Sequence, residues 1–260
     1  MVSGYQIRLN RILKNNKMLC IPMDHGISNG PISGIEDPHS IIYKCQNHGI
    51  TSIIINKGII KSFPHTIKVG ILVHYSASTS LSTHPDRKVL LGTVKEALRL
   101  GADGVSIHVN IGGKEEPEML KQLGAISEQC HEWNMPLLAM MYPRGENISN
   151  PLDPDIIAHV SRIGAECGAD IVKTLYPGEM NAFKKIIKST PVPIVVAGGP
   201  KANNIKDILS MTEDVMKAGA IGITYGRNIF SYNNPEKIVR ALASIIFKKL
   251  TAKDAVKIVQ

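Results

Sequence analysis

The chain has 260 residues, which suits one large domain, and we expect a single domain spanning 1–260. Its formal net charge of +8 is dispersed, without a basic cluster interleaved with aromatic residues, so a solvated surface is favoured over a nucleic-acid interface. No run of 18 apolar residues occurs and no signal peptide is evident, so we predict a cytoplasmic protein that does not cross a membrane. Four scattered cysteines without a CxxC pair are typical of reduced thiols.

Eight short apolar runs follow one another along the chain, and each predicts a β-strand. They are continuously apolar rather than alternating, as expected of strands that are covered on both faces. The eight runs are residues 18–23, 52–56, 70–74, 104–109, 136–141, 170–174, 193–197 and 221–225.

Helical patterns separate these strands. Asp37-Pro38, Asp153-Pro154 and Asn234-Pro235 each predict a capped helix start, and Gly-Ala steps precede several strands. Eight βα units predict a single (β/α)8 TIM barrel of the α/β class. The alternative is an open doubly wound sheet, but no G-x-G-x-x-G follows the first strand. Within 57–90 the helix between the second and third strands is short or missing, and 74–88 is predicted as a loop.

Lys173 lies inside the apolar sixth strand. Burial disfavours an ammonium ion, so we expect a lowered pKa and a neutral amine that can attack a carbonyl and form a Schiff base. The alternative is a structural ion pair with a buried carboxylate such as Asp24.

Asp24 follows the first strand and Tyr142 ends the fifth. Schiff-base chemistry requires proton transfers, for which a carboxylate and a phenol are suitable agents. The alternatives are a turn-capping aspartate and a tyrosine on the barrel rim with a solvated hydroxyl.

Glycine-rich loops follow the last two predicted strands. Gly198-Gly199 and Gly226-Arg227 let backbone N–H groups approach an anion, and helices are predicted after both loops. Barrels often bind phosphate at these two loops, so we predict a phosphate site here, with ordinary turn glycines as the alternative.

Histidines also lie near strand ends, at His25, His74 and His108. Metal-dependent aldolases polarise the same carbonyls with a divalent ion. No HxH or HExxH spacing occurs, so we interpret these histidines as hydrogen-bonding or core residues and expect neither a metal nor an organic cofactor.

The stretches "PMDHGISNGPI", "GVSIHVNIG", "MMYPRG", "GADIVKT", "VVAGGPK" and "YGRNIF" together resemble the archaeal-type class I aldolase family. That family includes archaeal fructose-bisphosphate aldolases and aminodideoxyheptulosonate synthases, and "MMYPRG" and "VSIHVN" are more similar to the synthases. The resemblance implies Lys173 as the Schiff-base residue, Tyr142 as proton donor and Asp24 as proton acceptor. Beyond these three, it and the strand-end positions imply substrate contacts at His25, Gly26, Ile27, Ser28, His108, Pro143, Arg144, Thr174, Leu175, Gly198, Gly199, Gly226 and Arg227.

The resemblance implies condensation of a three-carbon unit from a phosphorylated ketose with an aldehyde, expected to be L-aspartate semialdehyde, and a C7 product. Arg144 is expected to hold a second anion, such as the acceptor carboxylate. Relatives form large rings, so a ring-like homo-oligomer such as a decamer is expected. The alternatives are fructose-bisphosphate cleavage, condensation of glycerone phosphate with aspartate semialdehyde, a metal-dependent lyase and a non-catalytic sugar-phosphate-binding barrel.

Overall fold

A computed structural model describes residues 3–62 and 67–260. Eight parallel strands close into a barrel in the order β1-β10-β9-β8-β7-β6-β3-β2, which confirms the predicted (β/α)8 fold. The barrel strands are β1 (Met18–Pro22), β2 (Ser52–Asn56), β3 (Gly70–His74), β6 (Gly104–Ile111), β7 (Leu137–Pro143), β8 (Ile171–Thr174), β9 (Ile194–Ala197) and β10 (Gly222–Thr224). Two short strands, β4 (Ser76–Ala77) and β5 (Val89–Leu90), form a separate antiparallel pair.

Most of the helices follow a barrel strand and pack against the outside of the barrel. None of those in the described ranges is long and apolar enough to cross a bilayer. The helices are α1 (Gly4–Ile12), α2 (His25–Asn29), α3 (Pro38–Cys45), α4 (Lys57–Ile60), α5 (Val94–Arg99), α6 (Glu116–Glu132), α7 (Pro154–Glu166), α8 (Met180–Ser189), α9 (Ile205–Ala218), α10 (Arg227–Phe230), α11 (Pro235–Lys248) and α12 (Ala252–Val259).

The proline-based helix starts lie where the sequence predicts them. The side chain of Asp37 accepts a hydrogen bond from the backbone N–H of His39, and Asp153 caps α7 in the same way. Asn234 precedes Pro235 at the start of α11 but makes no side-chain capping bond. The fixed φ of proline at the first helical turn is therefore the feature common to all three starts.

Two apolar layers meet at the strands. One lies between the strands and the outer helices, and the other fills the barrel interior. Helix α1, which the sequence patterns did not predict, places Ile12 in the interior layer, and Tyr5 on the same helix donates a hydrogen bond to Asp170 (2.9 Å). The residues of the interior layer are Ile12, Met18, Cys20, Ile54, Leu72, Leu138, Met140, Ile171 and Val195.

The segment after β3 differs from the predicted loop. Ser76 pairs with Leu90 and Ala77 with Val89, so residues 76–90 form a hairpin. The short helix α4 agrees with the expectation for the connection between β2 and β3, although residues 63–66 of that connection lie outside the described residues. The hairpin matters for function because it stands at the carboxyl ends of the strands.

Candidate active site

Lys173 points into the barrel. Ile171 belongs to the interior layer and Val172 to the outer layer, so strand alternation directs the next side chain inward. Lys173 is 5% exposed, and its Nζ lies 3.7 Å from Met140 Sδ. The Lys173 side chain is therefore buried inside the barrel, with its amine beside the Met140 thioether.

Further polar side chains share this inward register near the carboxyl ends of other strands. In each case the neighbouring residue along the strand packs in the outer layer. These inward-directed side chains are Asn56 on β2, His74 on β3, His108 and Asn110 on β6, and Tyr142 on β7. Together with Lys173 they surround the floor of a polar pocket at the end where (β/α)8 enzymes carry out catalysis.

The Asp24 carboxylate lies between two histidines. His74 Nε2 is 3.8 Å from Asp24 Oδ2, and His25 Nδ1 is 3.8 Å from Asp24 Oδ1. Asn56, which sequence patterns did not identify, donates to the Asp24 backbone carbonyl (3.1 Å). Asp24 precedes α2 but makes no capping hydrogen bond, so the turn-capping interpretation does not account for its side chain.

The expectation of a neutral Lys173 is wrong for the unliganded protein. Burial lowers the pKa of Lys173, but Tyr142, Asp24 and Cys20 together outweigh it, and the pKa is raised above its ordinary value. Burial also raises the pKa of Tyr142, and that of Cys20 to about 12, so Asp24 is the negatively charged partner at neutral pH. The raised pKa favours the ammonium form of Lys173, which must lose a proton before attack.

Asp24 stays ionised at neutral pH. Burial alone would raise its pKa, but His74, His25, Lys173 and a backbone hydrogen bond hold the pKa of Asp24 below its usual range. Burial lowers the pKa of His74 to about 4 and also lowers that of His25. Both imidazoles are therefore neutral at pH 7, and the Lys173 ammonium is the lasting positive charge beside the carboxylate.

His108 and Tyr142 form the opposite wall of the pocket. Their rings meet edge to face with centroids 4.9 Å apart. His108 Nε2 lies 2.7 Å from Asn110 Oδ1, and the Asn110 amide donates to the Asp86 carbonyl (2.8 Å). Burial holds the pKa of His108 well below its ordinary value, so the imidazole is neutral and donates to Asn110. This chain of bonds fixes the position of the ring against which Tyr142 packs.

The two glycine loops require glycine for different reasons. Gly199 has φ +68°, a conformation that L side chains rarely adopt, and a Cβ at Gly226 would lie 2.8 Å from the His25 ring. Arg227 follows at the start of α10, and its buried Nε has no hydrogen-bond partner among residues 3–62 and 67–260. Helix α9 begins only at Ile205, so the expected helix N-terminus does not directly follow Gly199.

Asn228 joins the two glycine loops, and sequence reasoning did not identify it. Its Nδ2 donates to the carbonyls of Gly198 (2.7 Å) and Pro200 (3.0 Å), and its Oδ1 accepts from the Ala202 N–H (2.8 Å). Asn228 is fully buried. Its position directly after Gly226-Arg227, in "YGRN", was the available signal.

The other residues implied by the resemblance are less uniformly placed. Ser28 donates to the Ser78 carbonyl (3.0 Å) and thereby holds the hairpin. Thr174 is fully buried and donates to the Met141 carbonyl, so its side chain is directed away from the interior. Arg144 is half-exposed on the rim beside Asp86, at 3.5 Å. The remaining neighbours on these segments are Gly26, which is exposed, Ile27 and Leu175, which are half-buried, and Pro143, which is buried.

Among residues 3–62 and 67–260, no group of three or more His, Cys, Asp and Glu side chains is arranged to hold a metal ion. His25, Asp24 and His74 lie together, with one nitrogen of each histidine 3.8 Å from a carboxylate oxygen of Asp24.

The family model for DeoC/LacD family aldolases matches residues 18–232. The chain therefore belongs to the DeoC/LacD aldolase family. This match confirms the predicted kinship with lysine-dependent class I aldolases, enzymes that make and break carbon–carbon bonds.

Two curated synthases and one solved aldolase structure are similar to this chain over most of its length. The chain is 40% identical over 245 residues to a 2-amino-3,7-dideoxy-D-threo-hept-6-ulosonate synthase of Archaeoglobus fulgidus, covering 94% of this chain and 91% of that protein. It is 37% identical over 244 residues to a 2-amino-4,5-dihydroxy-6-oxo-7-(phosphonooxy)heptanoate synthase of Streptomyces griseus, covering 92% and 89%. An archaeal fructose-1,6-bisphosphate aldolase, solved with its catalytic lysine bound to a carbinolamine intermediate, superimposes with a TM-score of 0.88 at 29% identity, covering 94% and 99%.

Proposed function

We propose that this class I aldolase joins a three-carbon unit from a phosphorylated ketose to L-aspartate semialdehyde and releases an amino-deoxyheptulosonate-type C7 product. The observation that carries the proposal is the Lys173 amine, which is 5% exposed inside the barrel with Asp24 and Tyr142 beside it. The names of the two relatives describe seven-carbon 2-amino acids, which supports the choice of acceptor.

The first step generates the nucleophile. The raised pKa of Lys173 favours its ammonium form, so we propose that the amine first loses a proton to water as the ketone enters. The neutral amine then adds to the carbonyl carbon, and the carbonyl oxygen takes up a proton to give a carbinolamine. Tyr142, whose phenol stays protonated because burial raises its pKa, is suited to donate that proton.

The second stage forms the new carbon–carbon bond. Protonation of the carbinolamine hydroxyl and loss of water give an iminium ion, which withdraws electrons from the adjacent carbon–carbon bond. Asp24 removes the proton of the hydroxyl beyond that bond, the bond breaks, the rest of the ketose leaves as an aldehyde, and the three carbons stay on Lys173 as an enamine. The enamine carbon attacks the aldehyde carbon of the acceptor, and the aldehyde oxygen takes a proton from Tyr142 or Asp24. Water then hydrolyses the iminium, which restores the lysine and releases the ketone product.

The glycine loops bind the phosphate of the donor in this proposal. The Gly198-Gly199 and Gly226 backbone amides approach the anion, and the unpartnered Nε of Arg227 provides a charged donor. Asn228 keeps the two loops at a fixed separation. Binding the phosphate here places the ketone of a short sugar chain near the strand that carries Lys173.

A second candidate is condensation of glycerone phosphate with aspartate semialdehyde. The product in the name of the S. griseus relative has a hydroxyl at C4, a ketone at C6 and a phosphate at C7. Cleaving the C4–C5 bond of such an aldol gives glycerone phosphate and 2-amino-4-oxobutanoate, which is aspartate semialdehyde. Both candidates form an iminium ion on Lys173. The ketose donor reaches the enamine by carbon–carbon cleavage, whereas glycerone phosphate reaches it by losing a proton from the carbon next to the iminium.

The proposal includes a cytoplasmic homo-oligomer that binds no nucleic acid. All four cysteines are free thiols, as expected in a reducing compartment. Large apolar side chains are exposed at Tyr43 (75%) and Leu81 (95%), which suits contacts between copies. Light scattering of the purified protein measures the number of copies directly.

Borohydride trapping followed by product analysis tests the proposed function. Reduction in the presence of a donor should attach the three-carbon unit to Lys173, as mapped by peptide mass spectrometry. Aspartate semialdehyde with carbon-13-labelled fructose 1,6-bisphosphate and unlabelled glycerone phosphate as competing donors should then yield an amino C7 product whose mass identifies the donor. A protein that gains no adduct is a sugar-phosphate-binding barrel, and an adduct on another lysine contradicts the mechanism.

A further inference from the structure

Lys88 is a buried lysine without a carboxylate partner. It is 7% exposed, and its ammonium donates hydrogen bonds to the Ser78 hydroxyl and the Pro85 carbonyl (3.4 Å). No ion pair of Lys88 is found in the described part of the chain. A buried charge that lacks a counterion is unfavourable in free energy, so its retention calls for a ligand of opposite charge.

The hairpin after β3 holds Lys88 at the barrel mouth. Ser78 directly follows Ala77 and Lys88 directly precedes Val89, the partner of Ala77, so Ser78 and Lys88 face each other across the hairpin. Several hydrogen bonds join the hairpin to the barrel rim. Ser28 bonds to the Ser78 carbonyl, Ser76 bonds to the backbone of His108, and Asn110 bonds to the Asp86 carbonyl.

The charged groups around Lys88 have a net positive charge, because the nearby carboxylates already lie beside other cations. Arg144 is near enough to repel it and, after burial, is the next cause of a lowered Lys88 pKa. His74 and His108 also interact with Lys88, and both are neutral at pH 7. The carboxylates within electrostatic reach are Asp86, which is half-exposed and already beside Arg144, and Asp24, which belongs to Lys173.

Lys88 lies across the mouth from the phosphate loops. In the closed order of eight strands, β3 stands opposite β9 and β6 stands opposite β10. The glycine loops follow β9 and β10, whereas the hairpin follows β3 and is anchored on β6. Lys173 on β8 lies on the arc between these two sides, so a chain attached to it can extend toward both.

We propose that Lys88, with Arg144 at the rim, binds the anionic group of the acceptor aldehyde and so selects the acceptor. This inference rests on the proposed function. The seven-carbon products named for the two relatives carry a carboxylate at the end remote from the newly joined three-carbon unit. If the donor phosphate binds at the glycine loops, the acceptor carboxylate is directed to the hairpin side. There the Lys88 ammonium and the Arg144 guanidinium can bind it.

The experiment compares acceptors in wild-type and Lys88→Met proteins. The donor is one that the wild-type protein traps with borohydride, and the acceptors are aspartate semialdehyde, glyceraldehyde 3-phosphate and butanal. These aldehydes carry a carboxylate, a phosphate and no charge. Methionine keeps the length of the side chain without its charge. We expect the KM for aspartate semialdehyde to rise about ten- to a hundredfold, as for a lost charge-assisted bond, while kcat/KM for butanal and donor trapping change less than about twofold.

Two further variants sharpen the test. Lys88→Arg should recover most of the affinity for the anionic acceptor. Arg87→Met removes the adjacent hairpin cation, which is half-exposed and paired with Glu115 at 3.6 Å, and should leave the KM for each of the three acceptors unchanged. A loss confined to glyceraldehyde 3-phosphate supports the anion subsite with phosphate as its ligand. An equal loss with butanal, or an unchanged KM for every acceptor, overturns the inference. Absence of donor trapping in the wild-type protein instead defeats the proposed function.

Discussion

The glycine loops after β9 and β10 and the hairpin after β3 stand on opposite sides of one barrel mouth and are built differently. The loops present backbone N–H groups and need glycine, as at Gly199 with φ +68°. The hairpin presents the charged side chain of Lys88, held by hydrogen bonds to neighbouring loop groups. Backbone N–H groups on the donor side suit a group that is the same in every donor, such as phosphate. A cationic side chain on the hairpin can instead be replaced during evolution as the acceptor changes.

Lys173 lies between these two sides of the barrel mouth. Its replacement tests whether the donor phosphate still binds when no Schiff base can form. We expect Lys173→Met to lower turnover at least about a thousandfold, equivalent to ~4 kcal/mol, because no imine can form. Calorimetric binding of glycerone phosphate should persist, since the glycine loops are untouched. The matched control is Lys184→Met, which removes an exposed lysine of α8 and should leave turnover intact. Substantial residual turnover in Lys173→Met would remove the Schiff-base mechanism.

Replacing Tyr142 should have the next largest effect on turnover. In the proposed mechanism Tyr142 donates a proton and binds neither the donor phosphate nor the acceptor carboxylate. Tyr142→Phe removes the proton donor while keeping the ring against His108, so kcat should fall about 100- to 10,000-fold with little change in either KM. Steady-state kinetics with varied donor and varied acceptor separate these quantities. Tyr43→Phe, at an exposed position on α3, is the control. A change confined to KM would assign Tyr142 to binding.

Arg227 tests the donor side alone. Arg227→Ala should weaken phosphate-bearing donors by about 1.5–3 kcal/mol, or roughly 10- to 150-fold in KM, because a charge-assisted bond is lost. The KM for the acceptor should be unaffected, which is the reverse of the pattern expected for Lys88→Met. Arg240→Ala on the exposed surface of α11 provides a control. Near-normal donor affinity would remove the phosphate assignment.

The same contrast explains what could be predicted from the sequence. Buried parallel strands are continuously apolar, so all eight barrel strands were recognisable, and a lysine within such a run identified Lys173. The glycines of the donor side were readable because backbone geometry restricts the residue type. Asn228 was not recognised, since its role depends on two loops meeting in space.

The hairpin was the least predictable part of the site. Val89 and Leu90 follow a polar loop and are continued by Leu91, and a strand of two residues leaves no periodic pattern. The charge of Lys173 was also predicted wrongly. Burial alone lowers an amine pKa, but the opposing effect of Asp24 depends on a distance across the barrel that the sequence does not encode. Strand positions were therefore predictable, whereas the balance of charges between strands required the three-dimensional structure.

Asp24→Asn should have the smallest effect of the four variants. The quantity it changes is the pKa of the Lys173 amine. The carboxylate favours the Lys173 ammonium, so its removal should lower the pKa of Lys173 and move the pH dependence of borohydride trapping toward lower pH. Trapping of wild-type protein should rise with pH through the neutral range, because Lys173 is protonated there. A shift of about one pH unit corresponds to ~1.4 kcal/mol of interaction between the two groups. His74→Gln keeps the carboxylate and should leave the midpoint nearly unchanged, since His74, with a pKa of about 4, is already neutral. A midpoint that moves to higher pH in Asp24→Asn would mean that Asp24 is not what keeps the lysine charged.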